Sequence, residues 1–229
     1  MAGSIGLFVE FESGPAKGRR GVLSNSHVLA LCGKANQGDQ IFQPGKPDAK
    51  PLVQSLRVAT LADFTVLTAA GSQELDAAVG LLDDDALSNS ANTIPDGLPG
   101  CGHGGSALAG IGEPETLARD TLVCKIGRTT AWTSGRVTGV GIDNLPIYVP
   151  QLGRNLRFDN IFQIDWASPE DAFSGPGDSG SVVYDPLSMN ALGLIFAGGV
   201  VERAGKPVGV SYACNLGQAL QIFGVRMLT

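Results

Sequence analysis

The chain has 229 residues, of which 43% are hydrophobic and 17% charged. That leaves room for one large domain or two barrels of about 100 residues each, and it excludes a disordered chain. A net charge of −6 and a pI near 4.8 point to no polyanion partner, since nucleic-acid binding relies on a concentrated basic face.

Ile5, Leu7, Val9 and Phe11 alternate with Gly6, Phe8 and Glu10, the period-two pattern of a strand. A turn over 13–18 follows, and the basic run Lys17-Gly18-Arg19-Arg20 reads as a solvated hairpin tip. A second strand is expected over 21–27, leading into His27, with a short helical turn over 28–31. Further strands are expected at 40–43 and 52–61, whereas 62–67 gives no clear pattern. Short strands broken by Gly, Pro and Asp point to a barrel or sandwich. The 32 glycines and 13 prolines, with no collagen-like period, fit an all-β protein rich in turns.

From Thr93 to Pro114 the composition shifts, with seven glycines between Gly97 and Gly112. A linker or long connecting loop is the natural reading. The expected organisation is therefore an N-terminal barrel over 1–95, a linker over 96–118 and a C-terminal barrel over 119–229. In the second unit, strands are expected at 122–126, 135–140, 160–166, 181–184, 191–196 and 208–213. Leu216, Leu220 and Phe223 recur at i, i+4 and i+7, so an amphipathic helix ends the chain with that stripe on the core.

One stretch carries chemistry. Gly177-Asp178-Ser179-Gly180 crowds two glycines and an acid around a serine, just before the apolar pair Val182-Val183. Glycine serves where φ is positive or another backbone comes close, so Ser179 is expected on a tight turn with free N–H groups. A serine nucleophile needs a base, and the base needs an orienting carboxylate. The chain has two histidines. His103 lies in the glycine-rich stretch, where the backbone is least constrained, and reads as a solvated loop residue; His27 is the better-held base. Asp76 sits among small apolar neighbours, where burial demands a compensating hydrogen bond such as an imidazole N–H supplies. Asp63, Asp83, Asp84 and Asp85 are alternatives, although the 83–85 run reads as an exposed acidic loop.

Ser26-His27-Val28, Leu75-Asp76-Ala77-Ala78-Val79 and Gly177-Asp178-Ser179-Gly180 occur in that order. Together they resemble the chymotrypsin-like serine peptidases, whose triad runs His, Asp, Ser. The likeness is closest to intracellular or bacterial-type members without a zymogen activation sequence. Lys125-Ile126-Gly127-Arg128-Thr129-Thr130 with Gly135-Arg136-Val137 also looks like the opening strands of that group's second barrel. The resemblance implies two six-stranded antiparallel β-barrels with a C-terminal helix. It also implies a serine endopeptidase working through an acyl-enzyme on a polypeptide, with the Gly177 and Ser179 N–H groups as oxyanion hole.

The departures are informative. Val28 stands where extracellular relatives have a cysteine, and residues 1–5 hold no Ile-Val-Gly-Gly sequence. Asp178 is therefore expected to do without a freed N-terminal amine. By the resemblance, Phe173, six residues before the serine, lies at the floor of the main pocket, and Phe196, Ala197, Gly198 and Gly209 supply its walls. A neutral small or apolar P1 residue follows. A catalytically silent binding module and a serine esterase are the competing readings.

No cofactor is called for. Cys32, Cys101, Cys124 and Cys214 form no CxxC pair, and Cys101 with His103 lacks a second pair of ligands, so no metal site is expected. Cys214 reads as a buried strand residue, and Trp132 and Trp166 as packing residues. No apolar stretch is long enough to span a membrane and the N-terminus has no apolar leader, so a cytoplasmic location is expected.

Overall fold

Strand Leu7–Phe11 buries Leu7, Val9 and Phe11 and leaves Phe8 and Glu10 half-exposed, as its alternation requires. It is the second strand of a six-stranded antiparallel sheet, which runs Val225–Met227, Leu7–Phe11, Arg20–Ser24, Ala78–Leu82, Leu56–Phe64 and Gln40–Gln43. The computed structural model describes residues 2–51, 53–84, 92–168 and 170–229. Residue 52, where the expected 52–61 strand begins, and Asp85 of the acidic run lie outside them.

The second unit closes on itself. Val182–Tyr184 pairs with Leu122–Gly127, followed in turn by Ala131–Ile142, Ile161–Trp166, Lys206–Asn215 and Asn190–Arg203, which pairs back with Val182–Tyr184. A closed ring leaves no unpaired edge. A small third sheet of Leu145–Val149, Arg154–Phe158 and Ser72–Gln73 joins the two halves. The all-β architecture with a C-terminal helix is thus as expected.

Each unit has its own apolar interior. Val22, Ile41, Val58, Leu61 and Leu82 pack in the first, and Val123, Val137, Phe162, Ile164, Phe173 and Leu192 in the second. A third cluster runs between them, from Leu7 and Leu23 through Phe158 to Leu194 and Leu216. Fully burying one such side chain contributes about 1.5–3 kcal/mol, so this shared cluster holds the two units in fixed register. In the glycine-rich stretch, Ile94 and Leu108 are buried and the Ile94 N–H bonds Ser106, so that stretch is anchored to the body.

Several elements differ in extent from expectation. Arg20–Ser24 ends before His27, which sits in the short helix Ser26–Leu29. The strand expected at 52–61 covers Leu56–Phe64. The terminal helix is Leu216–Phe223, with Leu216, Ala219 and Leu220 buried. Asn215 caps its first turn by accepting from the Gln218 N–H, and Gly224 ends it at φ +59°. The chain then returns as strand Val225–Met227 along Leu7–Phe11.

Candidate active site

The site begins with His27, held on its one-turn helix by local bonds. Ser26 Oγ donates to the Thr65 carbonyl at 2.5 Å, and Asn25 Nδ2 donates to the Asp76 carbonyl at 2.6 Å. Asp76 lies just before strand Ala78–Leu82. Thr65 braces this segment, donating through its hydroxyl toward Leu75 O and Ala77 O and accepting from the Ala77 N–H. Asp76 Oδ1 accepts the His27 backbone N–H at 3.0 Å, and Oδ2 pairs with His27 Nδ1. Both residues are buried. The carboxylate therefore grips the histidine at ring and backbone together, which fixes both ring orientation and tautomer. Among the alternative acids, Asp63 bonds the Phe64 N–H and Asp83 pairs with Arg57.

Ser179 comes from the other unit, on the turn between Phe173 and strand Val182–Tyr184. Gly177 takes φ +108° and Gly180 φ +93°, both in the region that favours glycine. A Cβ on Gly180 would overlap Ser24 Oγ and the Ser4 carbonyl, so the turn presses on the first unit. Residue Ser4 stitches the contact: its N–H donates to Ser179 O at 2.8 Å, its hydroxyl donates to Gly177 O at 3.1 Å, and that hydroxyl accepts the Arg128 N–H at 2.9 Å. Among the described residues, the N–H groups of Gly177 and Ser179 have no protein acceptor.

Asp178 anchors the turn from within and is wholly buried. It accepts from Thr129 N at 2.7 Å, Thr130 N at 3.2 Å, Thr130 Oγ1 at 2.7 Å and Gly175 N at 2.9 Å. Lys125 Nζ, equally buried, stands 3.5 Å from Oδ2 and also donates to the Ala131 carbonyl. Burial alone would push the Asp178 carboxyl up; the Thr130 hydroxyl, the Thr129 and Gly175 N–H groups and the Lys125 charge hold it below the ordinary range. Burial pushes the Lys125 ammonium down, against the pull of Asp178. An internal cation thus stands opposite Asp178.

His27, Asp76, Gly177 and Ser179 line one cleft of about 930 Å³. Phe196, Ala197 and Gly198 form part of its wall. Phe173 does not line it: the ring is wholly buried in the second interior, and the neighbouring Ser174 faces the cleft instead. Gly209 also lies behind the wall, because the Trp166 ring covers it, and Trp166 is the residue that faces the cleft. Trp166 Nε1 donates to Ser211 Oγ at 2.8 Å, and Ser211 shares a hydrogen bond with Ser174 at 2.7 Å. At the edge, Arg128 is bound by Asp48 of the other unit.

Lys125, Ser4, Trp166 and Ser174 were not singled out as site residues by sequence reasoning. Lys125 left a signal, since a lysine within the apolar run 122–126 is out of place unless an acid meets it. Ser4 left none.

No family model matches the sequence, and no curated protein matches it. Solved structures do. The chain is similar to Nocardiopsis protease at 17% identity and TM-score 0.61, covering 100% of this chain and 98% of that one. Cellulomonas bogoriensis chymotrypsin gives 17% and 0.56, with 100% and 98% covered. A glutamic acid specific serine protease, described as using a histidine triad in substrate binding, gives 20% and 0.58, with 98% and 92% covered. The chain has the chymotrypsin-like serine protease fold.

Proposed function

We propose that this chymotrypsin-fold chain is a serine endopeptidase with His27, Asp76 and Ser179 as its triad. One observation carries the reading: a buried, doubly bonded His27–Asp76 pair from one unit and a glycine-framed serine from the other line the same cleft. With Nδ1–H directed at Asp76, His27 Nε2 is left as the acceptor for the Ser179 proton. Ser179 Oγ attacks the scissile carbonyl, and the proton moves to His27. The C–N bond then breaks as His27 returns that proton to the leaving amine. Water, activated by the same imidazole, hydrolyses the acyl-enzyme. The Gly177 and Ser179 N–H groups receive the oxyanion in both steps; one such donor typically supplies about 2.7–4 kcal/mol.

The P1 residue is neutral, small or apolar. Trp166, Phe196, Ala197 and Gly198 offer an apolar wall, and Ser174 adds a hydroxyl. Arg128, the cation at the cleft edge, is already neutralised by Asp48. The histidine triad named for the glutamic acid specific protease needs three histidines, and this chain has two. All four cysteines are free, which supports a reducing, cytoplasmic location.

The test is labelling by a fluorophosphonate probe, followed by a search for new peptide termini in a treated proteome. Labelling that is lost in Ser179→Ala and in His27→Ala, with cleavage after apolar residues, is expected. Absence of label sinks the enzyme. Label with ester turnover but no new termini sinks the peptidase, and cleavage after Arg or Lys sinks the pocket assignment.

A further inference from the structure

An oxyanion donor works only if its peptide plane faces the right way. The Gly177 N–H belongs to the peptide that joins Pro176 to Gly177. In a trans peptide the N–H points opposite to the carbonyl, and among the described residues the cis peptide bond is Gln43–Pro44. Whatever holds the Pro176 carbonyl therefore aims the Gly177 N–H. That holder is Thr129, whose Oγ1 donates to Pro176 O at 2.8 Å. Pro176 and Gly177 line the cleft, whereas Thr129 stands outside it.

We propose that Thr129 is a positioning residue that keeps the oxyanion site preformed: its hydroxyl retains the Pro176 carbonyl on the outer side of the turn, so that the Gly177 N–H faces the cleft. This rests on the peptidase reading above. Three observations converge on it. Gly177 sits at φ +108°; a half-turn of the 176–177 peptide would bring it to roughly −72°, a region open to any residue. Glycine adopts either sign of φ with similar ease, so the backbone alone does not choose between the two orientations and a contact must. Second, the next carbonyl, Gly177 O, is held by Ser4 Oγ, so the peptides on both sides of the Gly177 Cα are pinned by hydroxyls. Third, Thr129 is itself fixed independently of its hydroxyl, because its backbone N–H donates to Asp178 Oδ1 at 2.7 Å. The anchor inside the turn and the orientation of the donor are thereby linked through one residue. Removing the hydroxyl should free the peptide without releasing the loop.

The test compares Thr129→Val, which keeps the shape and loses the hydroxyl, with Thr129→Ser, which keeps the hydroxyl. Turnover of an apolar peptide p-nitroanilide and inhibition by the matching peptide aldehyde are measured, alongside crystal structures of the native protein and the Val variant. Losing an oxyanion donor outright costs about 10²–10³ in kcat; a donor that is free to turn should cost Thr129→Val about 10- to 100-fold in kcat. KM should stay within about threefold, aldehyde affinity should fall in parallel with kcat/KM, and Thr129→Ser should remain within about threefold of native. The Val crystal should have the Pro176 carbonyl turned toward Ser179. A Val variant with native kcat, or a Ser variant as impaired as Val, overturns the role of Thr129. A native protein without Ser179-dependent turnover overturns the peptidase reading instead. The crystals then decide alone: an unturned Pro176 carbonyl in the Val variant overturns the positioning role.

Discussion

The Lys125–Asp178 pair gives a sharp test of how the nucleophile turn is held. Lys125→Met keeps most of the side chain's volume and removes its charge. At 3.5 Å, two unit charges attract by about 5 kcal/mol at an effective dielectric of about 20. Removing one partner of a buried pair costs roughly 3–5 kcal/mol, because the other charge is stranded. Asp178 retains donors from Thr129, Thr130 and Gly175, which places the expected loss near the lower end, about 3 kcal/mol. The assay is urea unfolding at pH 7 in a Ser179→Ala background, so that no cleavage confuses the transition. With a slope of about 2 kcal/mol per molar, the midpoint should fall by about 1.5 M. The sign of the pH dependence is also fixed. The Asp178 carboxyl is held below its usual value, so its contribution is present above the unfolded carboxylate range and is lost as pH falls through the folded value. Without Lys125 that folded value rises, and acid unfolding should begin at higher pH than in the native protein. A midpoint within about 0.3 M of native would refute the reasoning.

Gly209→Ala should act on the cleft from behind: a Cβ there would overlap the Trp166 ring. Displacing that wall should raise KM for an apolar peptide about tenfold; a change below twofold despite altered tryptophan fluorescence would show that Trp166 does not contact substrate. Alkaline stability gives another prediction. Burial pushes the Cys32 thiol up to about 11 and the Cys124 and Cys214 thiols up to about 12, from 9.0. Their contribution is complete below about pH 9 and is lost as pH rises toward those values, because only the unfolded thiols ionise readily. Burial of the Lys125 ammonium works the other way, but one amine faces three thiols. The melting temperature in reducing buffer should therefore decline between pH 8 and 10, and a flat or rising profile would contradict the assignment.

Strands with a strict alternation, such as Leu7–Phe11, were legible because burial of one face leaves its period in the residues. The hairpin of Leu145–Val149 and Arg154–Phe158 was not, since Pro146, Arg154 and Arg157 dilute its pattern and its pairing with Ser72–Gln73 is made at a distance. His27, Asp76 and Ser179 stood out because each carries a local signature of small or glycine neighbours. Phe173 did not sit where the resemblance implied: an apolar ring at that position gains more from the second interior than from a wet cleft. Ser4 and Thr129 left no sequence signal because their hydroxyls act on backbone carbonyls more than 40 residues away, contacts that follow from the folded arrangement alone.

The return of Val225–Met227 along Leu7–Phe11, fastened by the Arg226–Glu10 ion pair at 2.8 Å, has a consequence in time. The first sheet cannot acquire its outer strand until Val225–Met227 has been made. At about 5–20 residues per second, some 10–40 s of synthesis separate the two partners. During that interval Leu7–Phe11 has an open edge on one side, exposed to pairing with other chains. Synthesis of Val225–Met227 is then also the moment of closure. The ribosome, in effect, delivers the last fastening of the half that carries His27 and Asp76 only after the half that carries Ser179.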